Sequence, residues 1–253
     1  MSKSNLRQIH ESARQAYETG HLQAALELVQ RCLDKDPDDG RAWELCGLIM
    51  YSGGDYDESV SALERAQCLI PLRPAGRVCL GHGYGKTGRI NLSRDVLFYL
   101  IDNEDIPLPL LLQVAIGLNT SGHPELAMQA CNRVIQQDQT FSQAYYDLGF
   151  YASRCGYPDE MVSELAERAI KLSPSNVQYR IGLAGLRTKH GKFNEAYALV
   201  AELPKEALEA VNCVCCLRRV IDLYRRVGDY RRVVICQQCL LSLDSSGAGS
   251  DCH

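Results

Sequence analysis

The sequence predicts an all-α protein built from about seven helix–turn–helix units that follow one another along the chain. Seven glycines recur at steps of 34, 34, 34, 34, 35 and 37 residues: Gly20, Gly54, Gly88, Gly122, Gly156, Gly191 and Gly228. The segments on both sides of each glycine carry apolar residues at spacings of three and four, which is the pattern of an amphipathic helix. A fixed period of this length indicates a repeat array in which each unit packs on its neighbours.

Each of these glycines is expected just past the end of a unit's first helix. The left-handed backbone conformation that commonly ends a helix is unfavourable for any residue with a β-carbon, and glycine adopts it freely. Prolines then close several second helices, as at Asp36-Pro37, Pro71 and Pro174, because the residue before a proline disfavours helical geometry.

Composition limits the functional classes. Of the 253 residues, 46% are hydrophobic and 23% are charged, which is typical of a soluble globular protein. A net charge of −4 gives no overall basic footprint for nucleic acid. The first residues do not form a signal peptide, and no stretch approaches the roughly 18 apolar residues of a membrane span. A cytoplasmic location is therefore expected, where the scattered cysteines stay reduced.

The second unit shows the pattern of the repeat most clearly. Its small residues predict that two antiparallel helices approach closely, and its large residues fill the space beside them; the small ones are Gly47, Ser59 and Ala66, and the large ones are Trp43, Met50 and Leu63. These spacings resemble the tetratricopeptide repeat, in which a large residue precedes Leu-Gly and Tyr, followed later by Ala, an apolar residue, Ala and Pro. The resemblance extends from about Leu6 to Leu243.

The resemblance implies a right-handed α-solenoid superhelix of about fourteen helices. Repeats are expected near residues 6–37, 40–71, 74–105, 108–139, 142–174, 177–204 and 205–244, within an array that covers residues 1–244. The second helix of the sixth repeat is expected to end early at Leu203-Pro204, and residues 205–212 are expected to lengthen the next helix. Residues 245–253 are small and polar, and we expect a disordered tail there.

The resemblance also implies a function. In this family the first helix of each repeat lines a concave groove, so the chain is expected to be a non-enzymatic scaffold or adaptor that binds a protein segment there. The expected apolar anchors are Leu112, Ile116, Tyr146 and Phe150, and the expected charged clamps for acidic flanks are Arg14, Arg41, Arg218 and Arg225. An alternative remains open, because a one-residue error of register would bury Leu112 and Ile116 between helices.

A second hypothesis places the main surface at the C-terminal repeat. The last helix carries apolar residues on more than one face, among them Val233, Val234 and Leu241, and no helix follows to cover them. We therefore expect this helix to self-associate or to dock on a partner. Paired arginines in the same repeat are consistent with a solvated face or with contacts to an acidic partner.

Nothing in the sequence points to catalysis or to a cofactor. The segment Gly81–Thr87 has three residues where a phosphate-binding loop needs four between its first glycine and Gly-Lys. Five cysteines cluster near the C-terminus: Cys213, Cys215, Cys216, Cys236 and Cys239. They could hold zinc, but cysteine also fills small apolar positions elsewhere in the chain, so packing is the favoured interpretation. No enzyme activity, metal or cofactor is expected.

Overall fold

The computed structural model describes residues 3–102 and 106–246. Fifteen α-helices make up the regular structure of these ranges: α1 (Lys3–Glu18), α2 (Leu22–Leu33), α3 (Gly40–Gly53), α4 (Tyr56–Leu69), α5 (Pro74–Lys86), α6 (Ile90–Ile101), α7 (Leu108–Thr120), α8 (Pro124–Gln137), α9 (Ser142–Arg154), α10 (Asp159–Leu172), α11 (Val177–Lys189), α12 (Phe193–Val200), α13 (Lys205–Glu209), α14 (Val214–Val227) and α15 (Tyr230–Ser246).

The chain divides into two compact units, the first ending at Ala130 and the second beginning at Cys131, inside α8. In the first unit, α1 packs with α2, α3 with α4, and α5 with α6, and each hairpin contacts the next one along the chain. In the second unit, the hairpins are α9 with α10, α11 with α12, and α14 with α15. The expected all-α fold of successive helical hairpins is confirmed.

The turns form as the glycine spacing predicts. Among the described residues, the seven recurring glycines are the ones with positive φ, between 73° and 89°. At each turn the N–H of the residue after the glycine donates to the carbonyl oxygen five residues earlier, as Asp55 does to Met50 at 3.0 Å. The glycine N–H donates to the residue three before it, as Gly54 does to Tyr51. This pair of bonds is the Schellman cap of a helix C-terminus.

The close contact predicted between the helices of the second hairpin is also confirmed. A β-carbon on Gly47 would lie 2.5 Å from Cγ of Leu63, so only glycine allows α3 and α4 to approach this far. The buried hydroxyl of Ser59 donates to the carbonyl oxygen of Gly47 at 2.8 Å, and Ala66 is fully buried. The hydrogen bond satisfies a polar group that would otherwise be buried alone.

The helices before α14 differ in part from the expectation. As predicted, α12 is short, ending at Val200 after eight residues. The prediction that residues 205–212 lengthen the next helix is wrong, because α13 ends at Glu209 and α14 starts at Val214. Cys213 has extended geometry between them and its Sγ accepts the N–H of Cys216 as an N-cap. Burial of Leu208 and Val211 in the core of the second unit holds α13 as a separate element.

The expected disordered tail is largely outside the described residues. Helix α15 continues to Ser246, two residues beyond the predicted end of the array, and residues 247–253 lie outside the described ranges.

Replacement of Gly47 by Ala is expected to destabilise the protein by about 1–3 kcal/mol, because Leu63 must move away from the new methyl group. The free energy of unfolding in urea measures the effect. Gly53→Ala is the matched control in the same helix, since its β-carbon meets only Oδ2 of Asp55 at 3.5 Å, and its effect should stay within about 1 kcal/mol. Equal losses of stability in the two variants would refute the packing explanation.

Candidate partner-binding surfaces

The second unit contains an open cavity of about 330 Å³ between α9, α10, α11 and α14. Tyr146 and Phe150, which lie one helical turn apart on α9, form one wall. The remaining lining is mostly small or apolar, with two cations: Gly149, Ser153, Val162, Ala166, Gly182, Leu183, Gly185, Leu186, Lys189 and Arg219. The structure therefore brings the two predicted aromatic anchors together in one recess.

Helical glycines create the space in this cavity. A β-carbon on Gly182 would collide with the hydroxyl oxygen of Tyr146, so the tyrosine ring can lie against α11 only because this position has no side chain. A β-carbon on Gly185 would meet Cδ of Arg219 at an ordinary contact of 3.5 Å. The recess beside Gly185 is therefore open because this residue has no side chain. A small side chain such as alanine would fit there without a clash, so packing does not require glycine.

The ring of Tyr146 is fixed from two sides. Its centroid lies 4.7 Å from that of Tyr179, and its hydroxyl donates to the carbonyl oxygen of Gln178 at 3.4 Å. Burial raises the pKa of Tyr146, so its hydroxyl stays neutral at physiological pH. The side chain thus offers a rigid aromatic face, which is a favourable element of a binding surface.

A carboxyl group is buried beside this aromatic wall. Asp147 accepts a hydrogen bond from Nε2 of Gln143 at 2.6 Å, and burial raises its pKa from 3.8 to about 6. The hydrogen bond from Gln143 lowers the pKa and only partly offsets the effect of burial. Asp147 therefore gains a proton near neutral pH more readily than an exposed aspartate does.

The first unit has its own cavities along the first helices of its hairpins. One, of about 770 Å³, is lined by two of the four predicted clamps, Arg14 and Arg41, together with His10 and Arg73. A second, of about 320 Å³, shares Arg14 and Arg73 with it and extends to Leu48 and Pro74. Arg14 is held between Glu11 and Glu18 by salt bridges of 2.5 and 2.9 Å.

The other predicted site residues lie elsewhere. Leu112 is only 6% exposed, so its side chain belongs to the core of the first unit, which is the alternative that a one-residue error of register leaves open; its role as an anchor stays a prediction. Ile116 is half-buried, and Arg218 and Arg225 are exposed on α14. Arg219, rather than its neighbour Arg218, lines the cavity with Tyr146. Successive residues of a helix point about 100° apart, so an error of one residue in the register of the repeat selects Arg218 instead of Arg219.

The cysteine cluster is only partly assembled. Cys213, Cys215 and Cys216 place their sulfur atoms within 4.8 Å of one another, and within the described ranges Cys236 and Cys239 do not join them. Burial, together with Cys213, raises the pKa of Cys216 to about 12. Burial likewise raises the pKa of Cys236 to about 12. Such thiols stay protonated, which favours the interpretation of Cys216 and Cys236 as packing residues. Cys215 is disulfide-bonded, so the expectation that the cysteines stay reduced is wrong for this residue.

One stripe of the C-terminal helix is exposed. Val233 and Cys236 are buried against the second unit, whereas Val234 and Leu241 are 51% and 68% exposed. Tyr230 is also exposed, four residues before Val234 and therefore on the same side of α15. These three side chains form an uncovered apolar stripe.

Comparisons with known proteins agree with the arrangement of hairpins. Residues 10–76 match the family model of the tetratricopeptide repeat, and the hairpins continue through the rest of the described chain. Residues 10–76 thus carry the tetratricopeptide repeat, and the rest of the described chain has the fold of such repeats. The helices of the described chain fit about seven helical-hairpin repeats, the additional short helix α13 apart. A search of curated proteins finds no match to this chain.

Solved structures share the tetratricopeptide fold at low identity. The C-terminal part of a tetratricopeptide repeat-containing protein from Cytophaga hutchinsonii is 14% identical, with a TM-score of 0.64 and coverage of 93% of this chain and 95% of that one. YrrB, described as having an unusual peptide-binding site, is 19% identical, with a TM-score of 0.54 and coverage of 66% and 85%. MamA from Desulfovibrio magneticus RS-1 is 15% identical, with a TM-score of 0.58 and coverage of 67% and 96%.

A search for helices that could cross a membrane finds none of sufficient length and apolarity in the part of the chain that the structure describes.

The raised pKa of Asp147 predicts a pH-dependent difference in stability. The folded state holds this proton more tightly than the unfolded chain, so the contribution of Asp147 to stability rises as the pH falls from above 6 towards 4. Asp147→Asn imitates the protonated form, and we expect it to be more stable than the parent protein at about pH 8, by on the order of 2 kcal/mol.

The difference between the two proteins should vanish near pH 4, where the parent carboxyl is itself protonated. Urea unfolding at both pH values measures it, with Asp222→Asn on the exposed side of α14 as control. A stability difference that does not change with pH would contradict the buried-carboxyl explanation.

Proposed function

We propose that this protein is a non-enzymatic scaffold or adaptor that binds a peptide or helix of a partner protein along its first helices. The cavity formed by Tyr146 and Phe150 is the observation that supports this function best. Its volume of about 330 Å³ is at the lower end of the range for ligand pockets, about 300–1,000 Å³. It has room for one large apolar side chain of a partner.

The lining of the cavity sets the chemistry of that partner. Aromatic and aliphatic walls favour a large apolar residue, and aromatic anchors in recesses contribute much of the energy of protein interfaces. Arg219 and Lys189 lie at the same cavity and would favour a carboxylate beside the apolar residue. We propose that the partner segment combines an apolar anchor with acidic neighbours.

Two further observations are consistent with an adaptor. Tetratricopeptide repeat proteins are typically interaction modules without catalytic activity, and YrrB is described as having a peptide-binding site. The likeness to YrrB concerns the fold, so it supports the class of function and not the partner. We also propose a cytoplasmic location on the ground of the exposed free thiol of Cys68, which suits a reducing compartment; the disulfide of Cys215 is an observation against it.

Substitution in the aromatic wall tests the proposal. Peptides are selected on the full protein from a random library, and their affinities are measured by fluorescence polarisation. The double variant Tyr146→Ala/Phe150→Ala is expected to weaken binding at least about tenfold, because the anchor loses its recess. Tyr99→Ala, at an exposed aromatic on α6, should bind as the parent protein does.

A filled cavity provides a test that retains both aromatic residues. Gly185→Leu places a side chain in the recess, and leucine favours a helix more than glycine does, so the fold should persist. Peptide binding should fall as in the double variant. Unchanged affinity in both variants, with normal circular dichroism, would exclude this cavity as the binding site.

A second function is favoured by the exposed stripe on α15. Tyr230, Val234 and Leu241 are uncovered on the C-terminal helix, and exposed apolar side chains on one face can mark an association surface. We propose that the protein, in this second function, serves an assembly in which this helix docks on a second copy.

Charge substitution in the stripe distinguishes this function from peptide binding. If α15 mediates self-association, the double variant Val234→Asp/Leu241→Asp should sediment as a monomer at concentrations where the parent protein forms dimers, because charge is excluded from an apolar contact. Leu92→Asp, at an exposed leucine on α6, is the control. A parent protein that is monomeric at every concentration would refute self-association while leaving the peptide-binding proposal intact.

A further inference from the structure

We infer that the first unit contains a separate oxyanion site, formed by Arg7, His10 and Arg41 with Arg73 beside them. It would bind a phosphate or carboxylate group carried by a peptide side chain. Only the assumption that the group belongs to a peptide rests on the function proposed above; the site itself stands on the geometry of the first unit.

The cavity of about 770 Å³ collects four guanidinium groups from different parts of this unit. Arg7 and Arg14 come from α1, Arg41 comes from α3, and Arg73 comes from the residue just before α5. Arginine is the side chain best suited to bind the oxygens of carboxylate and phosphate groups, because its planar fork can donate two parallel hydrogen bonds.

The carboxylates that line the same cavity are already engaged. Glu11 is paired with Arg14 at 2.5 Å. Oδ1 of Asp39 accepts the backbone N–H groups of residues 41 and 42 at the start of α3. Glu44 accepts both the backbone N–H and Nε of Arg73, each at 2.7 Å. Asp39 and Glu44 are therefore held by other groups, whereas Glu11 also attracts Arg7 and His10 electrostatically and is the acid with which a bound anion would compete.

Two arginine side chains and one imidazole nitrogen at the cavity make no hydrogen bond within the described residues. In the part of the chain that the structure describes, the guanidinium groups of Arg7 and Arg41 take part in no hydrogen bond or salt bridge, and Nε2 of His10 is buried without a hydrogen-bond partner. An unsatisfied buried nitrogen costs free energy. An oxyanion in the cavity could accept a hydrogen bond from it if that nitrogen carries the proton.

Arg73 is held in place before any ligand arrives. Glu44 is 1% exposed and fixes Nε of Arg73, whose own side chain is 58% exposed. The buried acid thus orients a guanidinium that still faces water, which lowers the entropy cost of binding an anion. Gly76 makes room for this acid, since a β-carbon there would lie 2.6 Å from Oε1 of Glu44.

An NMR titration of the full chain tests the site with inorganic phosphate and with glutarate as separate probes. The protein is labelled with ¹⁵N in histidine, sodium chloride keeps the ionic strength constant, and a zwitterionic buffer keeps the pH constant. We expect saturable shifts of the His10 ring nitrogens. Arg7→Gln and Arg41→Gln should each raise the dissociation constant by about tenfold, equivalent to the loss of one charged hydrogen bond of about 1.4 kcal/mol.

Arg31→Gln, at an exposed arginine of α2 outside the cavity, should leave the titration unchanged. Saturation by phosphate alone would assign the site to phosphorylated side chains, saturation by glutarate alone would assign it to acidic side chains, and saturation by both would support the shared chemistry. Absence of a saturable shift with either probe, or equal effects of Arg31→Gln and Arg41→Gln, would overturn the inference.

The two proposals can fail separately. The Tyr146→Ala/Phe150→Ala variant changes only the second unit, so it should lose peptide affinity and keep the anion-dependent shifts of His10. Loss of both responses in that variant would contradict a separate oxyanion site.

Discussion

Seven helix C-terminal caps of the same kind determine how this chain folds back on itself. At each one, the N–H after the glycine bonds to the carbonyl oxygen five residues earlier at 2.8–3.0 Å, and the glycine takes a positive φ. A β-carbon disfavours that conformation, so the second helix of each hairpin leaves the first in a direction that the glycine sets. The packing of Leu63 against Gly47 is possible only when the two helices return side by side in this way.

Repetition of the turn places equivalent positions of neighbouring first helices together within each unit. Tyr146 on α9 therefore meets Gly182 on α11, one repeat later, and Arg219 on α14 completes the same cavity. In the first unit, His10 on α1 and Arg41 on α3 face one cavity for the same reason. A candidate site in this protein is thus assembled from residues that lie a full repeat apart in sequence.

The sequence predicted what depends on the repeat and missed what depends on individual contacts. The turn glycines, the contact at Gly47 and the early end of α12 follow from residue types at fixed spacings. The choice between Arg218 and Arg219 does not, because a helix turns by about 100° per residue. The burial of Leu112 does not follow from the sequence either, since periodicity indicates an apolar face without showing which neighbour covers it. The separate helix α13 depends on the extended geometry of Cys213, and no repeat pattern encodes it.

Of the helical glycines around Tyr146, one is required by packing and another is better explained by a binding function. Glycine in a helix costs roughly 1 kcal/mol relative to alanine, so each such position needs a reason. Gly182 has one in packing, because a β-carbon there would collide with Tyr146. Gly185 lacks such a reason, since a β-carbon would make only an ordinary contact of 3.5 Å with Arg219. Binding of a partner would supply that reason, because a partner side chain could occupy the space that Gly185 leaves open.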